Sequence, residues 1–183
     1  MKLYNTLSKK VENFQSLSEL RGGSEESKQV KMYACGPTVY DYTHIGHLRK
    51  YVMDDVLVRT LRHAGYDVRH VQNITDVGHL ASDEDEGEDK MEKGARKYGQ
   101  TAWEVAKKFE EYFWYSLDLM GVVRPTLSCR ATEHIQSQLE MVLDLEQKGF
   151  TYVIPDDGVY FDTAKLKHYG ELSGHDPRQA TRE

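Results

Sequence analysis

His44 and His47, three residues apart, carry the chemistry most legible in this sequence. They close the run Cys35-Gly36-Pro37-Thr38-Val39-Tyr40-Asp41-Tyr42-Thr43-His44-Ile45-Gly46-His47. An apolar stretch, residues 30–34, precedes this run, and a helical pattern opens near Gly46. A strand, a loop and a helix start in that order form an anion site. Free backbone N–H groups and the positive end of the helix dipole both face the loop. Gly46, between the histidines, lets a ligand approach the backbone closely. The arrangement suits a nucleoside triphosphate held without a Gly-rich P-loop. Adenylate formation builds charge on the α-phosphate and on the leaving pyrophosphate, and donors already fixed at a helix N-terminus stabilise that charge. His44 and His47 fit this role as hydrogen-bond donors, with no proton transfer required.

Other readings of the same residues stay open. The histidines could be ordinary surface or capping residues. They could also be a metal pair, with a third ligand from His79, Asp76 or His134. Cys35, nine residues before His44, is either a small hydrophobe at a strand end or a zinc ligand facing the nucleotide pocket. A zinc site needs three or four ligands, and no partners stand nearby at zinc spacing. Cys129 reads as an ordinary residue near a helix start. Asn73-Ile74-Thr75-Asp76 ends a second apolar strand. Thr75 there points into the crevice beyond the strand ends, or is a polar cap.

The elements that must position these residues follow from periodicity. Residues 3–7 suggest a short edge strand, and 16–28, with Gly22-Gly23, a surface loop. Residues 30–35 alternate as a strand. The next helix carries Leu48, Val52, Met53, Val56, Leu57, Thr60, Leu61 and Ala64 on one stripe, with Gly65 at its C-terminal stop. Residues 68–74 form the second strand. Such a strand–helix–strand unit implies a parallel crossover, the seed of a doubly wound α/β sheet. The acidic run 82–89 is not a calcium loop: counted from Asp83, glycine falls at the fifth position, and no glutamate closes the twelfth. It reads as a solvated, mobile loop. Residues 101–120 form a helix with Ala102, Val105, Ala106, Phe109, Phe113, Leu117 and Met120 on one face. Thr132 is placed to cap another helix, stopped by Gly149. Residues 150–154 and 159–161 flank the turn Pro155-Asp156-Asp157-Gly158 as a hairpin.

The 183 residues carry a net charge of -6, which argues against a stand-alone nucleic-acid binder. One face could still bind RNA within something larger. Two distant cysteines make no disulfide framework and fit a reducing compartment or a metal. No signal-peptide pattern and no membrane span appears, so a soluble cytoplasmic protein is expected.

Together these residues resemble the class I aminoacyl-tRNA synthetases, whose signature is His-Ile-Gly-His, and within them the cysteinyl-tRNA synthetase family. The resemblance takes in Leu3-Tyr4-Asn5-Thr6-Leu7, the runs from Met32 to Asp41 and from His44 to Arg49, and Asn73-Ile74-Thr75-Asp76. It extends to Arg130-Ala131-Thr132-Glu133-His134-Ile135 and Gly158-Val159-Tyr160-Phe161-Asp162-Thr163. It implies a ligase that activates cysteine with ATP and Mg2+ to cysteinyl-adenylate and transfers it to tRNA-Cys. ATP would lie on Pro37, Thr38, Tyr40, His44, Gly46 and His47, and cysteine beside Thr38 and Thr75. One Zn2+ would bind at Cys35 and take the substrate thiolate, which a soft metal prefers to a serine hydroxyl. The family's other zinc ligands, its Lys-Met-Ser-Lys-Ser loop and its tRNA-gripping helical domains are not among these residues.

The expectation is therefore the amino-terminal part of such an enzyme, inactive or nearly so alone. Residues 1–100 would form the first half of a Rossmann-like sheet, with 82–100 an acidic mobile loop region. Residues 101–183 would begin a connective insertion of helices and a hairpin. The complete enzyme would be a monomer, whereas this part would self-associate through an exposed sheet edge. The alternatives are a His-x-x-His nucleotidyltransferase, a cysteine ligase acting on an amino sugar, and a non-catalytic remnant of the fold.

Overall fold

The computed structural model describes residues 1–22, 28–78 and 90–174. Its strands in chain order are β1 (Lys2–Asn5), β2 (Lys10–Asn13), β3 (Gln29–Ala34), β4 (Asp67–Ile74), β5 (Leu127–Arg130), β6 (Thr151–Ile154) and β7 (Gly158–Phe161). Its helices are α1 (Leu17–Leu20), α2 (Ile45–His63), α3 (Lys90–Tyr98), α4 (Ala102–Leu119) and α5 (Ile135–Gln147). The chain divides into two compact units. One is Ser16–His134; the other joins Met1–Gln15 to the chain from Ile135 onward.

The first unit is the α/β body. β3 and β4 pair in parallel from Gln29↔Asp67 to Ala34↔Gln72, and β5 adds in parallel on the far side of β4, giving the order β3-β4-β5. Along β4 the side chains alternate: Val68, His70, Gln72 and Ile74 are buried, and Asp67 and Arg69 are exposed. The core joins Val39, Tyr51, Ile74, Met91, Val105, Ala106, Phe109, Phe113 and Leu117. The face expected of α4 is therefore the buried one, except that Met120 stands exposed. Thr101 caps α4 in a reciprocal box with Glu104.

α2 turns differently from its apolar pattern. Tyr51, Val58 and Leu61 are buried, whereas Met53 and Val56 lie exposed. The inward arc at 51, 54, 55 and 58 includes two acids, and each finds a partner. Asp54 pairs with Lys50 at 2.6 Å. Asp55 pairs with Arg59 at 2.7 Å and accepts from the Val123 amide at 3.0 Å. Ion-paired carboxylates can occupy half-buried positions that an apolar count assigns to solvent.

α3 occupies part of the region 82–100 expected as a loop. Met91 is buried, and Gly94 meets the loop after β3: a Cβ on it would lie 2.8 Å from the Tyr40 carbonyl oxygen. The acidic run 82–89 and His79 lie outside the described residues. Thr132 does not cap α5 as expected. It sits in a 3-10 turn, Ala131–His134, and its amide and hydroxyl both go to buried Asp76, at 3.0 and 2.5 Å. No helix of the described residues is long and apolar enough to cross a membrane.

In the second unit β1 and β2 form an antiparallel pair, Lys2↔Asn13 to Asn5↔Lys10. Gly149, at φ +75°, follows α5. β6 and β7 then make the expected hairpin, Thr151↔Phe161 to Ile154↔Gly158, with Asp156 at φ +63° in its turn.

Candidate active site

The chain leaves β3 at Ala34 but does not leave the sheet. The Thr75 amide donates to Pro37 O at 2.9 Å, and the Val39 amide donates to Thr75 O at 3.1 Å. Thr38 and Thr75 thereby become partners in a parallel bridge beyond the strand ends. Between strand and bridge runs Cys35-Gly36. The Gly36 amide donates to Asn73 Oδ1 at 2.8 Å, and a Cβ on Gly36 would lie 1.5 Å from the Asn73 carbonyl oxygen. Only glycine fits a backbone approach that close.

Thr43 leads into α2, and His44 is its N-cap, in extended backbone at φ -114° and ψ 173°. His44 Nδ1 accepts from the Gly46 amide at 3.1 Å, and His47 Nδ1 accepts from the His44 amide at 3.4 Å. The two rings stack with centroids 3.7 Å apart. A Cβ on Gly46 would lie 2.9 Å from His44 Cε1, so glycine makes room for the capping ring. A neutral imidazole whose Nδ1 accepts carries its proton on Nε2. Both histidines then present an Nε2–H donor at the positive end of α2. Partial burial, and secondarily the neighbouring His44, holds His47 below the usual histidine range.

Asp41 fixes the loop between bridge and helix. Burial raises its carboxyl pKa, but hydrogen bonds from Lys97, Tyr98 and the Tyr42 amide outweigh burial and hold it below the usual carboxylate range. Tyr98 donates to Oδ1 at 2.6 Å, and Lys97 pairs with Oδ2. The exposed Tyr42 packs edge-on against Phe109 and Tyr112 of α4, at 4.9 and 4.8 Å. Tyr40 is half-buried and packs on the core.

Cys35 is exposed at the C-terminal end of β3. Its carbonyl accepts from Lys50 Nζ, which also pairs with Asp54. Among the described residues no group of three His, Cys, Asp or Glu side chains could hold a metal ion. These residues alone do not fit a zinc site, nor do His44 and His47 have a third ligand among them. Asp76 is spent on Thr132. Cys129 is half-buried on β5, opposite Asn73.

The structure thus gathers Cys35, Pro37, Thr38 and Thr75 at one end of β3 and β4, with His44, Gly46 and His47 opening the helix that follows. Sequence reasoning missed three supporting side chains: Asn73, Lys50 and Lys97. Asn73 stood in a motif already singled out. Lys50 and Lys97 carried no signal, because a lysine on a helix reads as solvated until its partner is seen.

The family model described as "tRNA synthetases class I (C) catalytic domain" matches residues 23–183. A cysteine–tRNA ligase of Zymomonas mobilis is 47% identical over 172 residues, covering 94% of this chain and 32% of its own length. Cysteine–tRNA ligase 1 of Burkholderia lata is 51% identical over 174 residues, covering 93% and 34%. The chain spans about a third of the length of these curated relatives. Among solved structures, the Agrobacterium radiobacter K84 agnB2 LeuRS, in a ternary complex with tRNA and LeuAMS, matches with a TM-score of 0.57 at 25% identity, over 70% of this chain and 16% of that one.

Proposed function

We propose, because the chain belongs to the family of class I (C) tRNA synthetase catalytic domains, that it forms the ATP- and cysteine-binding first half of the active site of a cysteine–tRNA ligase. The observation that carries this is the Thr38–Thr75 bridge, which sets the amino-acid side of the site against the loop leading to His44 and His47. ATP, with Mg2+, lies along Pro37, Thr38, Tyr40, His44, Gly46 and His47. The two Nε2–H donors meet the phosphate charge that grows as the cysteine carboxylate attacks the α-phosphate. Cysteine lies beside Thr38 and Thr75, and tRNA-Cys receives the activated amino acid in the complete, monomeric enzyme of the cytoplasm. Residues 101–183 open the connective insertion, within which α4 and β5 pack back onto the first half.

Cys35 is assigned as one zinc ligand only together with donors from outside the described residues. Cys35 is exposed and stands three residues before Thr38 of the bridge, which supports a place for such an ion beside the proposed cysteine site.

Titration calorimetry of the chain with ATP–Mg2+ and with a non-hydrolysable cysteinyl-adenylate analogue tests this reading. Saturable binding of both, weakened at least tenfold by His44→Ala, supports it. Absence of binding to either refutes it and favours a remnant that keeps the fold without the chemistry.

A further inference from the structure

Asn73 reaches both halves of the site with one carboxamide. Its Oδ1 accepts from the Gly36 amide at 2.8 Å and from the Tyr33 hydroxyl at 3.0 Å. Its Nδ2 donates to Thr75 Oγ1 at 3.0 Å. The two ends of a carboxamide are told apart by their partners. A backbone N–H can only donate, so the Gly36 amide demands the oxygen, and the NH2 group must face Thr75. The Thr75 hydroxyl is therefore an acceptor toward Asn73. Its own hydrogen stays free, and it finds no acceptor among the described residues.

We infer that Asn73 is a positioning residue that turns the Thr75 hydroxyl into a hydrogen-bond donor toward the ligand. At that point the site takes a lone-pair acceptor, such as a carboxylate or acyl oxygen of the amino acid. The identity of the ligand rests on the proposed cysteine and ATP reading; the polarity of Thr75 does not. Two features hold the amide in place. The Gly36 backbone lies so close to the Asn73 backbone that a Cβ there would stand 1.5 Å from the Asn73 carbonyl oxygen, and this keeps the Gly36 amide within reach of Oδ1. Tyr33, on the neighbouring strand, occupies the second lone pair of the oxygen.

Asn73→Asp separates polarity from shape. The carboxylate keeps an acceptor for Gly36 and places a second acceptor where the NH2 stood. The Thr75 hydrogen then turns to that carboxylate and is lost to the ligand. Thr75→Val removes the hydroxyl itself.

Two readouts on the full chain test the inference. The first needs no ligand: exchange of the Asn73 side-chain amide hydrogens, followed by NMR. Slow exchange in the wild type that speeds up in Thr75→Val is expected; equal exchange in both overturns the inference. The second is affinity for cysteinyl-sulfamoyl-adenosine. Asn73→Asp is expected to lose about tenfold, the worth of one hydrogen bond. Thr75→Val should lose about as much, and the double variant no more than Thr75→Val alone, with ATP affinity unchanged in all. Wild-type affinity in Asn73→Asp, or losses that multiply in the double variant, overturn the inference. If the wild type binds neither compound, the cysteine and ATP reading falls, and the amide exchange alone decides the polarity of Thr75.

Discussion

The imidazoles of His44 and His47 lie stacked, 22° between their planes, and each turns its Nδ1 onto a backbone N–H at the start of α2. The pair is thus held by the helix it caps. Its outward nitrogens are left as donors. Partial burial, and next the neighbouring His44, disfavours a positive charge on His47.

The pH dependence follows in sign. His47 binds a proton less readily in the folded chain than at its ordinary value of 6.5. Below that value the unfolded chain binds more protons, so stability falls as pH drops through the histidine range and rises again toward neutrality. Denaturant unfolding at pH 5 and pH 7.5 should show a smaller pH difference in His47→Gln than in the wild type. An NMR titration should place the His47 midpoint below 6.5, and His44→Gln should move it upward. A wild-type midpoint at or above 6.5 contradicts the assignment.

Gly36→Ala should be among the most damaging single substitutions. Its Cβ would overlap the Asn73 carbonyl oxygen, and backbone on backbone has no flexible end to yield. A loss of about 3 kcal/mol or more is expected in urea unfolding, or failure to fold. A variant as stable as the wild type would show that this approach is not made in solution.

Much of this was legible in the sequence, and what was not has a physical cause. The β3–α2–β4 unit, the α4 core face and the hairpin of β6 and β7 follow from periodicity and turn residues: Val30, Ala34, Val68 and Ile74 are buried on the strands, Val105, Phe109, Phe113 and Leu117 on α4, and Asp156 turns the hairpin at φ +63°. α2 departed from its pattern since Asp54 and Asp55 take half-buried positions paired with Lys50 and Arg59, which an apolar count does not register. β5 is too short, at four residues, to announce itself, and it exists because β4 offers it an edge. Thr132 looked like a helix cap because nothing local distinguishes a threonine that caps from one that serves an aspartate 56 residues away. The site followed the same rule. Cys35 to His47 is contiguous and could be read, whereas the reach of Asn73 to Gly36 spans a strand pair.

Arg130 of β5 grips Glu110 of α4 through two bonds, at 2.7 and 2.9 Å, and Glu110 is 9% exposed. Arg130→Ala leaves that carboxylate with the Trp114 indole N–H as its remaining partner. A cost of about 2 kcal/mol is expected, less than for a fully buried pair because the arginine side chain is 47% exposed. Adding Glu110→Gln should recover part of it. Thermal unfolding of the single and double variants checks this, and equal losses in both would contradict it.

The outer edges of β3 and β5 carry no partner strand among the described residues. Such edges template pairing with another chain. Light scattering at rising concentration should show self-association, and a clean monomer at high concentration would count against it.

If these residues supply the first half of a cysteine-activating site, as proposed, they should work when joined to the remainder of a relative. The most direct measurement is cysteine-dependent ATP–pyrophosphate exchange by the Zymomonas mobilis relative with its matching third replaced by this chain. Exchange is expected with cysteine and not with serine, falling about a hundredfold in His44→Ala and His47→Ala. A folded chimera that gives no exchange with cysteine, or exchanges equally with serine, would contradict it.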